Sequence, residues 1–291
     1  MAQRVRLLAL KMDASGAANG GSDGVKDIDA TIDRESVCGL CHQAVPKLAK
    51  SHVIPKSIMM LGRPKDTSEP MVLIPSNATK RVLRSQAGIY SSIVCSACEA
   101  SFQAGDDALL ALCRTWEQGQ AYGPANEPVL CKVYPEISST TLHRGLLTTL
   151  FRAHLSSHPM FEHVDLGSEH EEAVRNLLLS DQPTIKSSYR AVIRTARGLA
   201  AGTIMSPMRE RWDGVNVYRF YFPHVSAFIK VDKKPFVGAW QTGALGALSC
   251  AHAMVEERLH DGEIARIKRA MNGRDDEVER FGGRDTNAST T

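Results

Sequence analysis

Apolar residues at Leu142, Leu146, Leu147, Leu150, Phe151 and Leu155 recur at three- and four-residue steps between Ser138 and Ser156, which lines one face of an α-helix. A second helix is expected after Asp165, where Ser168 and Glu171 supply start signals and Val174, Leu177 and Leu178 share an apolar side. Phe102, Leu109, Leu110, Leu112, Cys113 and Trp116 fit one broad helical face, weakened in its middle by Gly105. Elsewhere the period is nearer two. Val215 to Phe222 and Tyr189 to Ile193 alternate as strands do, and Ser226 to Val231 is placed to pair with the former across the short Pro223-His224 turn. Short apolar runs at Ser51 to Ile54, ended by Pro55, at Met71 to Ile74, before Pro75-Ser76-Asn77, and at Ile89 to Val94 read as further strands. Leu248 to Leu259 predicts a final helix, with Gly262 and Glu263 opening a short one after it.

This pattern makes the fold class α+β and divides the chain into four parts. Residues 1–35, which include the small, polar Asp13 to Gly24, read as a flexible segment. Residues 36–117 form a first ordered unit, 134–271 a larger α+β region, and 272–291 a tail expected to be disordered. At 291 residues, 43% hydrophobic and 23% charged, the composition is that of a globular protein and excludes a coiled-coil rod, a collagen or a wholly disordered chain. No membrane span is expected, because the richest apolar stretch, Gly238 to Ala253, is broken by Gln241, Thr242, Ser249 and His252. The apolar core Leu7 to Leu10 is too short for a signal peptide, so the chain reads as cytoplasmic.

The formal charge of +3 is unevenly placed. Between Lys47 and Arg84, eight lysines and arginines face only Asp66 and Glu69, an excess of six, so the remainder of the chain is net acidic. A solvated lysine-rich loop accounts for such a segment, and so does a surface that meets a phosphate backbone.

The cysteines change the picture most. Four of the seven form two Cys-x-x-Cys pairs, Cys38/Cys41 and Cys95/Cys98, and in a reducing compartment such pairs bind metal or do redox chemistry. One pair supplies two adjacent thiolates from a tight turn, and two pairs complete a tetrahedral zinc site. The 53 residues between the pairs form a loop that metal closure would order. A thioredoxin-like pair would follow a strand in a βαβ unit, whereas here there are two pairs and no such unit. Cys113, Cys131 and Cys250 are isolated and read as small buried hydrophobes.

Between the pairs lies Ser51-His52-Val53-Ile54-Pro55-Lys56, and the second pair opens a helix as Cys95-Ser96-Ala97-Cys98-Glu99. A lone histidine beside Val-Ile-Pro reads first as a hydrogen-bonded structural residue. The ordered set of three elements, however, resembles the HNH endonucleases, over about a quarter of the chain. The resemblance implies a treble-clef or ββα-metal module carrying a structural Zn²⁺, with His52 on the first strand activating the attacking water. It departs from the family in two places: Ser51 stands where an acidic or histidine metal ligand is common, and Glu99 where a helical histidine is common. A carboxylate is a hard ligand, so Glu99 could hold a catalytic Mg²⁺ or Mn²⁺, with Asp106 and Asp107 as weaker substitutes; it could equally be an ordinary first-turn helix residue. Asn77 could be the family's central Asn or simply a turn residue.

Phosphodiester hydrolysis needs an activated water, charge neutralisation and cations that hold the backbone. Lys50, Lys56, Lys80 and Arg81 are the candidates for phosphate contacts. The first expectation is a metal-dependent HNH-like endonuclease acting on nucleic acid, DNA foremost, with a role in defence against foreign DNA as a further implication of the resemblance. The alternative is a non-catalytic, zinc-stabilised module that binds nucleic acid or protein, in which Ser51 and Glu99 mark lost ligands. A third, an enzyme site in the α+β region built on histidines such as His143, His154 and His158, lacks a metal-ligand spacing.

Overall fold

In a computed structural model, the chain can be described over residues 36–62, 70–74, 83–122, 130–181, 184–196 and 203–256. All of these fall in one compact unit, Glu35–Thr291. The N-terminal part contains β1 (Ser36–Val37), β2 (Ala44–Val45), β3 (Lys50–His52), α1 (Lys56–Leu61), β4 (Met71–Ile74), β5 (Leu83–Ser85) and β6 (Tyr90–Ser92). There follow α2 (Ser96–Ser101), α3 (Gln103–Thr115), β7 (Gln120–Tyr122), β8 (Cys131–Ser138), α4 (Ser139–Leu155) and α5 (Gly167–Leu179). The rest comprises β9 (Ala191–Ala196), β10 (Thr203–Met205), β11 (Met208–Trp212), β12 (Val215–Phe222), β13 (Val225–Lys230), α6 (Ala239–Thr242) and β14 (Cys250–Glu256).

Seven strands form one sheet in the order β11-β12-β13-β9-β14-β8-β7, antiparallel except between β9 and β14. One face turns Ile193, Phe220, Ala227, Ile229, Ala251 and Ala253 into the main core, where α4 packs across β8, β13 and β14. On the other, Val192, Val217 and Phe228 meet Phe236 and Trp240. The period-two alternation of β12 and β13 thus serves two apolar layers.

The amphipathic helix expected at Ser138 to Ser156 is α4, whose N-cap Ser138 accepts the Thr141 N–H at 3.3 Å. Its pair of core partners explains the glycine that weakened the preceding pattern. A Cβ on Gly105 of α3 would lie 2.6 Å from the Gly145 Cα of α4, so the two helices cross backbone to backbone.

The final helix expected at Leu248 to Leu259 is not formed: Cys250–Glu256 is β14, a strand inserted between β9 and β8. Alternation decides it. Ala251 and Ala253 are small enough to lie flat beneath α4, fully buried, while His252 and Met254 turn to the opposite face. The helical pattern of the isolated segment loses to two strand edges that need a partner. Residues 257–271, including the short helix expected at Gly262, lie outside the described residues, as do 1–35 and 272–291. The hydrophobic core is continuous from Cys38 to Ala253 and includes residues of both the 36–117 unit and the 134–271 region. No helix among the described residues is long and apolar enough to cross a membrane.

Candidate metal centre and its surroundings

The first Cys-x-x-Cys pair sits in the turn between β1 and β2, which pair antiparallel. Cys38 N–H donates to Gln43 O at 3.0 Å and His42 N–H to Cys38 O at 2.9 Å, with His42 in the left-handed region at φ 59°. The second pair begins at Cys95, the N-cap of α2, and places Cys98 in the helix's first turn. Cys95 N–H donates to Cys38 Sγ at 3.2 Å, so the second pair's backbone favours the thiolate of the first.

All four Sγ atoms lie within 4.8 Å of one another, with Cys41 and Cys95 3.9 Å apart. Tetrahedral Zn–S bonds of about 2.3 Å require sulfur–sulfur spacings of about 3.8 Å, whereas a disulfide needs about 2.05 Å. The seven cysteines are free thiols, and the four-sulfur cluster has the spacing of a metal site. Burial acts upward on the Cys38 thiol, but the N–H groups of Cys41, Cys95 and Leu40 outweigh it and bring it down to about 7. Burial pushes Cys41 and Cys98 up. A divalent ion would hold all four as thiolates. Four thiolates fill a tetrahedron and leave no position for water, so the centre suits a structural ion.

The cluster is anchored within its own unit at Ile93, just after β6, and from the larger region by α4 and α5. Gly39 N–H donates to Ile93 O at 2.8 Å, and a Cβ at Gly39 would meet Leu155 of α4 at 2.7 Å. Arg175 of α5 donates to Leu40 O at 3.2 Å.

The other predicted site residues are placed as follows. His52 and Lys50 share one face of β3, which pairs antiparallel with β6 so that His52 stands opposite Tyr90. Lys50 Nζ lies 3.7 Å over the Tyr90 ring, and His52 meets the same ring edge-on at 6.0 Å. His52 Nε2 is 3.2 Å from Ala87 O. A carbonyl only accepts, so this bond puts the proton on Nε2 and leaves Nδ1 as the basic nitrogen. Gly88, at φ +85°, brings that loop in: a Cβ there would press on Met59 Sδ at 3.1 Å and His52 Cδ2 at 3.3 Å. Lys56 is exposed at the start of α1. Lys80, Arg81 and Asn77 lie outside the described residues.

Ser51 points the other way, fully buried, on the same face as Ser91, whose hydroxyl bonds Ser156 at 2.8 Å. Glu99 has Arg152 beside it, Oε1 to Nη1 at 3.7 Å. Arg152, fully buried in α4, grips Asp106 with both ends of its guanidinium, at 3.1 and 2.5 Å. Asp107 is held by Gln103 at 2.8 Å. The sequence reading missed Arg152 and Tyr90. The signal for Arg152 was its position directly after Phe151, inside a helix whose residues are mostly buried; Tyr90 gave none.

Among the described residues, the four cysteines are the one group of three or more His, Cys, Asp or Glu side chains gathered closely enough to hold a metal. His52 and Glu99 are not part of such a group. Two histidines of the larger region are tied to its backbone. His143 is buried with Nε2 2.5 Å from Tyr189 O, and burial pushes it down to about 4; His158 Nδ1 accepts the Met160 N–H. Comparisons with protein-family models, with curated proteins and with solved structures found no match to this chain.

Proposed function

We propose that the chain is an HNH-like endonuclease: a structural zinc on Cys38, Cys41, Cys95 and Cys98 holds a treble-clef-like ββα unit, and His52 on its first strand is the general base toward a nucleic-acid phosphodiester. The observation that carries the reading is the Ala87 carbonyl on His52 Nε2. It fixes the tautomer and ring orientation that a base needs, with Nδ1 free to take a proton from water. The order of elements supports it too, since β6 runs within three residues into the Cys95 turn and α2. Lys50, on the His52 face of β3, and Lys56, exposed at the start of α1, supply cations that could hold a phosphate backbone. DNA is the substrate proposed, with Lys80 and Arg81 as further contacts.

The described residues do not assemble a site for the catalytic Mg²⁺ or Mn²⁺ that the resemblance implied: Glu99 and Asp106 are drawn to Arg152, and Ser51 is buried. The same observation favours the second reading, a zinc-stabilised module that binds nucleic acid without cutting it.

Purified protein incubated with plasmid, single-stranded DNA and RNA, with Mg²⁺ or Mn²⁺, separates the two. The first reading expects cleavage that His52→Ala lowers by about two orders of magnitude or more, at unchanged zinc content and thermal midpoint. Salt-sensitive binding with no cleavage of any substrate by the wild type would leave the binding module standing.

A further inference from the structure

On the sheet face away from α4, strands β7, β8 and β14 and the segment around α6 enclose a cavity of about 720 Å³. Small-molecule sites typically span about 300 to 1,000 Å³. Its walls are largely apolar, built on Ala121, Val133, Ala239 and Met254, and the described residues that line it include no Asp, Glu, Lys or Arg. Its mouth keeps three large apolar side chains in water: Tyr122 is 72% exposed, Leu130 59% and Leu248 46%. Leaving such groups exposed together at one opening is unfavourable unless something covers them.

One wall residue is polar and buried. His252 is 3% exposed, and neither of its ring nitrogens meets hydrogen-bonding geometry with a protein atom. Such a group ordinarily costs stability until it is paired. Burial pulls the imidazole below its usual range, although the carbonyls of Cys250, Gly243 and Ala244 work against this. A neutral imidazole offers one donor and one acceptor, which a hydroxyl or an amide can match.

From the cavity's size, its uncharged lining and the unpartnered imidazole in its wall, the geometry points to a binding site for an uncharged, largely apolar small molecule that carries a hydroxyl or amide group, read by His252. The site is separate from His52 and the cysteine cluster and is independent of the nuclease reading. An apolar body fills the space between β8 and α6 and covers the three rim residues, while the polar group meets the imidazole. A charged ligand would find no opposite charge there and would lose its hydration.

The test uses the full chain and N-phenyl-1-naphthylamine, an uncharged dye that brightens in a dry site. Saturable binding of one dye per chain is expected. Ala247→Trp at the mouth should weaken it at least about tenfold with the thermal midpoint and zinc content unchanged; should that variant unfold, Leu130→Glu on the opposite rim should weaken it likewise. Competition then reads the histidine. 1-Naphthol should displace the dye about threefold to tenfold better than 1-methoxynaphthalene, the range a net hydrogen bond gives, and His252→Phe should level the two. Dye binding that never saturates, that survives both rim substitutions, or that shows the same naphthol preference in His252→Phe would overturn the assignment.

Discussion

Replacing Arg152 by Met removes a charge that is fully enclosed while keeping most of the stem that packs beside Phe102, whose ring centre lies 5.4 Å from the guanidinium carbon. What remains is Asp106, 16% exposed at its side chain, without its two hydrogen bonds, and Glu99, 29% exposed, without its neighbouring cation. Breaking a buried ion pair from one side costs about 3 to 5 kcal/mol. The partial exposure of both carboxylates places this case at the low end, about 3 kcal/mol. Burial already pushes the Asp106 carboxyl up, against the pull of Arg152. Without that pull the folded-state value rises further above the unfolded one, so the folded variant takes up a proton that the unfolded chain does not. Its stability should therefore recover, relative to wild type, as pH falls from 7 towards about 5. Urea unfolding of both proteins at several pH values, followed by tryptophan fluorescence, measures this. The double variant Arg152→Met with Asp106→Leu should regain most of the loss, because two apolar groups replace the pair. A deficit under about 1 kcal/mol at pH 7, the scale of an exposed pair, or one that widens on acidification, would refute the reasoning.

Metal analysis should find one zinc per chain, and Cys95→Ser should lose it together with the cooperative unfolding transition, since a three-thiolate remnant leaves the two turns unjoined. Affinity for duplex DNA should fall steeply between low and moderate salt, and Lys50→Ala with Lys56→Ala should flatten that slope by about one to two counterions in a filter-binding titration. Gly145→Ala, which in an exposed helix would add about 1 kcal/mol, should instead destabilise the protein in urea unfolding, because its Cβ would enter the Gly105 carbonyl.

What could be read from the sequence was set by how local the cause was. The repeat Leu142 to Leu155 encloses its own helix, and Ser138 caps it, so α4 needed no knowledge of its neighbours. Four thiols at Cys-x-x-Cys spacing carry their own chemistry, and the structure brings them within 4.8 Å. The failure at Cys250–Glu256 was of the opposite kind: Ala251 and Ala253 suit a helix in isolation, and only the vacant edges of β9 and β8 make a strand of them. Arg152 was hidden for the same reason. Its partners stand 46 and 53 residues away, on α3 and α2, and no spacing rule connects them.

These non-local contacts bear on how the chain works as a whole. α4 belongs to the larger region, yet it supplies Arg152 to Glu99 and Asp106, Ser156 to Ser91 on the strand paired with β3, and Leu155 to the turn that holds Cys38. α5 adds Arg175 on the Leu40 carbonyl. The face of β3 and β6 opposite His52 is thus closed by helices from elsewhere in the chain, so the proposed polynucleotide contact would have to form on the face of His52, Lys50 and Tyr90. Because α4 also packs across β8, β13 and β14, removing an ion from the four cysteines should loosen α4 against the sheet as well as the two cysteine turns. A unit of residues 36–117 that folded separately from residues 134–256 would lack α4, and the side of α3 that packs on it at Gly105 would be left in water, which opposes its folding alone.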